Sequence, residues 1–213
     1  MPQLAQPSSH LIDASSGRMG NPTGQYEKRL RELTGLYSDA AAFEAACRSH
    51  GESVAYRVFD HRPKQASGDL IFGTTFMEPG RIGDEFYMTR GHIHARANRP
   101  EIYYGESGDG VMLMESPEGE VRAEPIRARV AVYVPPFWIH RSVNTGAAPL
   151  VMTFFYPNDS GQDYGVIDRS GGMAARVQRA EQGWKLVPNQ SYRPRTADEI
   201  KRIYASADEA TFT

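Results

Sequence analysis

The pattern of apolar and polar residues divides the chain into a helical start, a long strand-rich middle and a helical end. From about residue 53 to residue 157, short segments rich in β-branched and aromatic residues alternate with turn residues such as Pro79-Gly80 and Thr145-Gly146. The segments are SVAYRVFD, DLIFGTTF, EFYMT, EIYYGES, GVMLMES, EVRAEPI, VAVYVP and LVMTFFYP. Many short strands about ten residues apart are typical of an antiparallel barrel or a double-sheet jelly roll.

The N-terminal region has a different pattern. Residues 1 to about 22 are rich in Ser, Pro and Gly and show no periodicity, which predicts a loosely held arm. Residues 25–35 carry Leu30 and Leu33 at helical spacing, and an alanine-rich run follows Ser38, a candidate helix N-cap. We therefore predict two short helices ahead of the strand-rich region.

The C-terminal region predicts one more helix. Thr196 and Glu199 have the spacing of a capping box, in which each residue satisfies a backbone N–H of the first turn. The predicted organisation is an arm with short helices over residues 1–50, a barrel over 51–190, and a helix packed on the barrel over 191–213.

Composition limits the range of functions. The chain has 213 residues and a formal net charge of -2, which gives no sign of nucleic-acid or membrane binding. The single cysteine, Cys47, excludes an internal disulfide and fits a reducing compartment. The N-terminus lacks the pattern of a signal peptide, and no apolar run approaches the length of about 18 residues that suggests a membrane span. We expect a cytoplasmic protein.

Histidine spacing gives the first indication of chemistry. His92 and His94 lie two positions apart, so they face the same way if the segment is a strand. Glu101 begins the next strand-like segment, and His140 follows a proline-bounded strand further along. Imidazole and carboxylate groups together suit a divalent first-row metal. The alternative is that the histidines are ordinary surface or core residues.

Four longer stretches resemble one family. They are PGRIGDEFYMTRGHIH, EIYYGESGDGVMLME, VYVPPFWIHRSVNTG and TFFYPNDSGQDYG. Through these stretches the chain resembles the cupin-type phosphoglucose isomerases, and the similarity covers about residues 50 to 185. Glu101 lies further from His94 than the glutamate of the general cupin motif does, and this isomerase family shares the longer spacing. The family often has a histidine at the position of Gln162.

The resemblance implies a fold, a metal and a reaction. The implied fold is mainly β: a cupin double-stranded β-helix, or jelly-roll barrel, with short N-terminal and C-terminal helices. The implied ligands are His92, His94, Glu101 and His140, with Fe²⁺ as the expected metal and Mn²⁺, Zn²⁺ or Ni²⁺ as alternatives. The implied reaction interconverts glucose 6-phosphate and fructose 6-phosphate. Glu101 either only binds the metal or also moves the proton, and a metal-assisted hydride shift would need no base.

The resemblance also implies how substrate is bound. Phosphate contacts are expected from Tyr56, Thr75, Thr89, the backbone of Gly91, and Tyr156. Tyr103 shares the face of Glu101 by strand alternation and is expected to act with it, and Tyr164 is expected beside the sugar. Tyrosine and threonine are also common on strands, so each could be structural. Family members are usually homodimers, which predicts the same here.

Two other functions fit the four metal-binding residues. A metal-dependent cupin oxygenase would use the same ligands but would have no use for phosphate-binding hydroxyls. A non-catalytic sugar-binding cupin is the second alternative, and the presence of all four ligands argues against it.

Overall fold

The protein is described by a computed structural model that covers residues 6–63 and 68–206. The prediction of a mainly β fold with short helices near both ends is confirmed. The strands are β1 (Gly24–Arg29), β2 (Val54–His61), β3 (Leu70–Met77), β4 (Arg81–Ile82), β5 (Glu85–Phe86), β6 (Glu101–Ser107), β7 (Asp109–Glu115), β8 (Val121–Arg127), β9 (Ala131–Val134), β10 (Ile139–Asn144), β11 (Leu150–Pro157), β12 (Ala175–Arg179) and β13 (Trp184–Pro188). The helices are a 3₁₀ helix (Leu30–Leu33), α1 (Ala40–His50), α2 (Gly165–Arg169) and α3 (Ala197–Ala205).

The strands form three sheets. The main sheet has the order β1-β2-β3-β11-β6-β9, a second has the order β10-β7-β8, and a third has the order β13-β12-β5-β4. Met152 of β11, Met112 of β7 and Ile139 of β10 are fully buried and belong to one hydrophobic core. The first two sheets therefore share their apolar sides. No sheet in the described chain closes on itself.

The first predicted helix is wrong over most of its length. Residues 25–29 belong to β1, which pairs antiparallel with β2 and so joins the main sheet. Only Leu30–Leu33 is helical, as a 3₁₀ turn with Leu30 and Leu33 both buried. Residues three apart lie on the same side of a 3₁₀ helix, so the spacing of Leu30 and Leu33 reflects a single 3₁₀ turn and not a longer helix.

The second predicted helix is present as α1, but its N-cap is Asp39 rather than Ser38. The Asp39 carboxylate accepts a hydrogen bond from the Ala42 N–H at 2.8 Å. Ser38 is engaged elsewhere, since its backbone N–H and its hydroxyl both donate to the carboxylate of Glu85. That contact lies far away in sequence, so the local pattern did not reveal it.

The prediction of a loosely held arm is wrong for the stretch around Ile12–Met19, where the chain forms a bridged turn and lies on the main sheet. The Thr74 hydroxyl donates to the Gly17 carbonyl, and the Ser107 hydroxyl donates to the Ala14 carbonyl. We call this stretch the N-terminal strap. The first five residues of the predicted arm lie outside the described chain.

The C-terminal helix is confirmed as α3, with Thr196 and Glu199 in a capping box. Residues 207–213 of that predicted unit lie outside the described chain. Over the described ranges, no helix has the length and apolar character needed to cross a membrane.

Candidate metal centre and its cavity

Three imidazoles converge on one carboxylate oxygen. The Nε2 atoms of His140, His94 and His92 lie 3.0, 3.3 and 3.9 Å from Oε2 of Glu101. All four side chains are buried. The predicted ligand set is therefore brought together in space.

Backbone pairing explains the convergence. His92 and His140 form an antiparallel bridge in which each N–H donates to the other residue's carbonyl, at 3.0 and 2.9 Å. Opposed residues in such a pair project to the same side, and the ring centroids are 4.5 Å apart. His94 follows two residues after His92 in extended chain and faces the same side, as the spacing predicted. Glu101 is the first residue of β6.

Backbone carbonyls orient two of the rings. Nδ1 of His94 lies 2.7 Å from the Arg99 carbonyl, and Nδ1 of His140 lies 3.1 Å from the Trp138 carbonyl. A carbonyl oxygen can only accept, so Nδ1 must carry the hydrogen in both rings. In a neutral imidazole the Nε2 lone pair then faces Glu101, a geometry typical of metal-binding histidines.

This arrangement fits a metal ion. A lone pair on Nε2 and a carboxylate oxygen are both acceptors, and they face each other at close range. Nε2 of His94 is buried and has no hydrogen-bond partner in the described chain. A cation between nitrogen and oxygen donors would satisfy both, and the donor set suits Fe²⁺ or another divalent first-row metal.

The charges agree with that interpretation. Burial works to raise the pKa of Glu101, but the neighbouring imidazoles of His140 and His94 hold this pKa well below its ordinary value. Burial and the neighbouring His140 lower the pKa of His92. The centre therefore offers an anionic carboxylate and a neutral imidazole at neutral pH.

The metal centre lies at a cavity of about 610 Å³, counting its open mouth. Ten of the predicted site residues line it: Tyr56, Thr75, Thr89, Gly91, His92, Glu101, Tyr103, His140, Tyr156 and Tyr164. His94 is not among the residues that line it. Tyr103 shares the buried side of Glu101, as strand alternation predicted.

The tyrosines of the cavity are poor acids. Burial raises the pKa of Tyr56 to about 12 and also raises the pKa of Tyr156. Burial and the negative charge of Glu101 raise the pKa of Tyr103 well above its ordinary value. These hydroxyls keep their protons at neutral pH and can donate hydrogen bonds.

Three arginines and an aspartate at the cavity were not predicted. Arg62 is paired with Asp60 at 2.8 Å, and Arg90 is paired with Asp168 at 3.0 Å. The Arg90 guanidinium also lies 4.9 Å from the centre of the Tyr164 ring, within cation–π range. Arg141 is buried, and burial lowers its pKa to about 10, so it stays charged at neutral pH. Two of these arginines could have been found from their position in the sequence, because Arg90 and Arg141 are the immediate neighbours of the predicted site residues Gly91 and His140.

Gln162 lies beside the candidate metal centre. Its amide nitrogen is 3.4 Å from Nε2 of His92, and its carbonyl accepts a hydrogen bond from the Tyr164 hydroxyl. Tyr164 and Gln162 together hold this side of His92.

The fold and the site together define a cupin: a mainly β protein with a buried histidine and carboxylate centre reached from a cavity. The family model for glucose-6-phosphate isomerase (GPI) matches residues 27–195. The chain belongs to the glucose-6-phosphate isomerase family, and the predicted resemblance is confirmed.

Individual relatives agree with the family match. The chain is 54% identical over 205 residues to a glucose-6-phosphate isomerase of Sinorhizobium medicae (strain WSM419), covering 96% of each chain. It is 44% identical over 144 residues to a glucose-6-phosphate isomerase of Thermococcus gammatolerans (strain DSM 15229 / JCM 11827 / EJ3), covering 68% of this chain and 75% of that one. A solved oxalate oxidase structure is similar at a TM-score of 0.43 and 16% identity, over 51% of this chain and 54% of the other.

Proposed function

We propose that this protein interconverts glucose 6-phosphate and fructose 6-phosphate with a divalent metal held by His92, His94, Glu101 and His140. The observation that carries the proposal is the convergence of three Nε2 atoms on one oxygen of Glu101 beside a cavity lined by hydroxyls. The isomerase names of the relatives supply the substrate class.

The expected metal is Fe²⁺, with Mn²⁺, Zn²⁺ or Ni²⁺ as alternatives. When bound, the metal supplies Lewis-acid polarisation of the sugar oxygens and stabilises the negative charge that develops on them.

Glu101 is the proposed base that moves a proton between C1 and C2 of the open-chain sugar. Its carboxylate is ionised at neutral pH and therefore has a lone pair available to accept that proton. Tyr103, which lies on the same buried side of β6 and also lines the cavity, is the proposed partner of Glu101 in this step. Positioned bases of this kind typically contribute about 10²–10⁴-fold in rate.

Hydroxyls and one backbone N–H are the proposed phosphate ligands. The Thr89 oxygen already accepts a hydrogen bond from the Ser142 N–H at 3.1 Å, so its own hydrogen is available to a phosphate oxygen. Tyr56, Thr75 and Tyr156 add further hydroxyls at the same cavity. Gly91 has a φ of 76°, a conformation that favours glycine, and its N–H completes the proposed set.

This lining favours the isomerase over a cupin oxygenase with the same ligands. An oxygenase acting on an uncharged substrate would have no need of hydroxyls and arginines gathered at one cavity. A non-catalytic sugar-binding protein would have less need of a complete set of four metal ligands.

A coupled assay of fructose 6-phosphate formation tests the proposal. We expect turnover of glucose 6-phosphate, very little turnover of glucose, loss of activity on prolonged chelation, and recovery on adding Fe²⁺ or Mn²⁺. Full activity in protein verified to be metal-free would contradict the metal, and equal turnover of glucose would contradict the phosphate site. Oxygen uptake with a substrate screen would reveal an oxygenase.

We also propose that the protein is a cytoplasmic homodimer. Phe155, Ile102 and Tyr133 are paired neighbours across β11, β6 and β9, and their exposed fractions are 39%, 43% and 55%. We call this row the apolar stripe. Contiguous exposed apolar side chains of this kind often mark protein–protein contacts, and a second copy of the chain is the proposed occupant.

A further inference from the structure

Arg141 is a buried cation without an anionic partner. Its residue surface is only 6% exposed. Nη1 donates to the Met88 sulfur at 3.0 Å, Nη2 donates to the Arg90 carbonyl at 2.8 Å, and Nε has no partner in the described chain. Within the described ranges it forms no ion pair at 4.0 Å or less.

The carboxylates that surround it are already engaged. Arg62 and Arg90, the other arginines of the cavity, each have a carboxylate partner of their own. The two carboxylates whose charge acts on Arg141 are Glu85, which pairs with Arg176 at 2.7 Å, and Glu115, which pairs with Arg195 at 2.5 Å. Burying a charge lowers the stability of the fold unless another charge compensates it. Because no carboxylate of the described chain pairs with this guanidinium, we expect an anion from outside the protein to bind near it.

Arg141 also fixes the chain segment next to it. Its Nη2 holds the carbonyl of the peptide between Arg90 and Gly91. In a trans peptide the N–H points opposite to the C=O, so this contact directs the Gly91 N–H away from Nη2. That N–H has no partner among the described residues. A Cβ on Gly91 would lie 2.9 Å from the Arg141 Cβ, which shows how closely the two residues pack.

We infer that Arg141 is the positioning residue for substrate phosphate: it supplies the uncompensated positive charge behind the Thr89–Gly91 segment and sets the direction of the Gly91 N–H. The inference rests on the proposed function and adds to it the source of the electrostatic preference for a phosphorylated sugar. The phosphate dianion completes the charge balance of this side of the cavity, and the hydroxyls provide directional hydrogen bonds. A charge in a low-dielectric site acts over several ångströms, so direct contact is not required.

Three variants test the inference. Arg141→Met removes the charge, Arg141→Lys keeps the charge without the planar fork, and Arg195→Met is the control. Arg195 is equally buried, but it is paired with Glu115 and lies away from the cavity. For each purified protein we would measure kcat and KM for glucose 6-phosphate, calorimetric Kd for inorganic phosphate, bound metal, and melting temperature.

We expect Arg141→Met to raise both KM and the phosphate Kd about tenfold or more, the range for a lost interaction with a charged group. Bound metal should be unchanged, and kcat should fall less than KM rises. Arg141→Lys should lose less phosphate affinity than Arg141→Met. Arg195→Met should lower the melting temperature and leave KM and phosphate affinity unchanged.

Unchanged KM and phosphate Kd in a metal-replete Arg141→Met protein would overturn the inference. Equal losses in the Lys and Met variants would overturn charge as the cause. If Arg141→Met is not recovered folded, Arg141→Gln takes its place with the same criteria. Failure of the wild-type protein to turn over glucose 6-phosphate would contradict the proposed function instead, and phosphate calorimetry would still decide the role of Arg141.

Discussion

At the scale of single residues, Glu101 is the residue to which we assign both metal binding and proton transfer. Glu101→Gln keeps the size and one carbonyl oxygen but cannot accept a proton as a carboxylate does. If Glu101 is the base, we expect most of the metal to remain and turnover to fall by about 10²-fold or more. The measurement is kcat divided by bound metal, determined on the same sample.

Isotope exchange completes that experiment. Proton transfer through an enediol lets hydrogen from heavy water enter C1 or C2, whereas a hydride shift carries the original hydrogen across. Absence of label, together with near-normal turnover per metal in Glu101→Gln, would contradict the base assignment.

Thr89 provides a second prediction at this scale. Thr89→Ala removes one donor to the proposed phosphate, worth about 1.5–3 kcal/mol for a hydrogen bond to a charged group. We expect KM for glucose 6-phosphate to rise about tenfold or more with little change in bound metal. Thr34→Ala is the control, since this threonine is exposed and bonds only to the Arg31 carbonyl. A rise in KM shared by both variants would contradict the assignment.

That His92, His94 and Glu101 lie together could be predicted because their spacing is local or follows from strand alternation, whereas His140 was predicted from the combination of two distant motifs. The arginines of the cavity were missed because their roles depend on distant partners. Arg90, for example, pairs with Asp168, which is 78 residues away in the chain. An unpaired Arg141 is invisible in sequence, since only the fold shows which carboxylates are already engaged.

At the scale of secondary-structure elements, tertiary pairing overrode several local patterns. Residues of β1 had a helical pattern, yet they pair with the edge of β2. β12 and β13 were not predicted because ARVQR and WKLVP are largely polar or half-exposed. The segment of β10 was singled out in the sequence only because it contains His140, although the strand forms one side of the candidate metal centre. The central strands were predicted because burial gives them a strong apolar pattern.

The approach to α3 is held by one buried ion pair. Glu115 accepts from Arg195 at 2.5 Å, from the Tyr192 hydroxyl at 3.0 Å and from the Ala174 N–H at 2.7 Å. Arg195→Met leaves the carboxylate buried without its cation, which typically costs about 3–5 kcal/mol. We expect this loss in the free energy of unfolding by urea denaturation. Arg202→Met, at an exposed position of α3, should change it little, and equal effects would contradict the importance of the pair.

At the scale of the whole molecule, the apolar stripe bears on assembly. Ile102→Glu places a charge at the centre of the stripe, and desolvating that charge should prevent a second copy from packing there. We expect a dimer for the wild-type protein and a monomer for the variant by light scattering. Leu186→Glu, an exposed substitution on β13, should leave the dimer intact. A monomeric wild-type protein would contradict the proposal.

The N-terminal strap gives the last prediction. Removing residues 1–20 removes the two carbonyls that accept hydrogen bonds from the Thr74 and Ser107 hydroxyls. Thr74 is fully buried in the full chain, so the deletion leaves its hydroxyl without this partner. We expect a lower melting temperature with the metal centre still formed, because no strap residue lines the cavity. A variant that lacks only residues 1–5 is the matched control. An unchanged melting temperature for the longer deletion would contradict a stabilising strap.

Because the strap is covalently attached, its effect can be expressed as an effective concentration of the strap at the surface it covers. A short tether keeps a segment near its binding surface at an effective concentration of roughly millimolar order. A synthetic peptide of residues 6–22 offered to the shortened protein would therefore need about that concentration to restore the melting temperature. The full chain meets this condition at any dilution, so the cover over this part of the main sheet is independent of protein concentration, unlike a contact made between two separate copies.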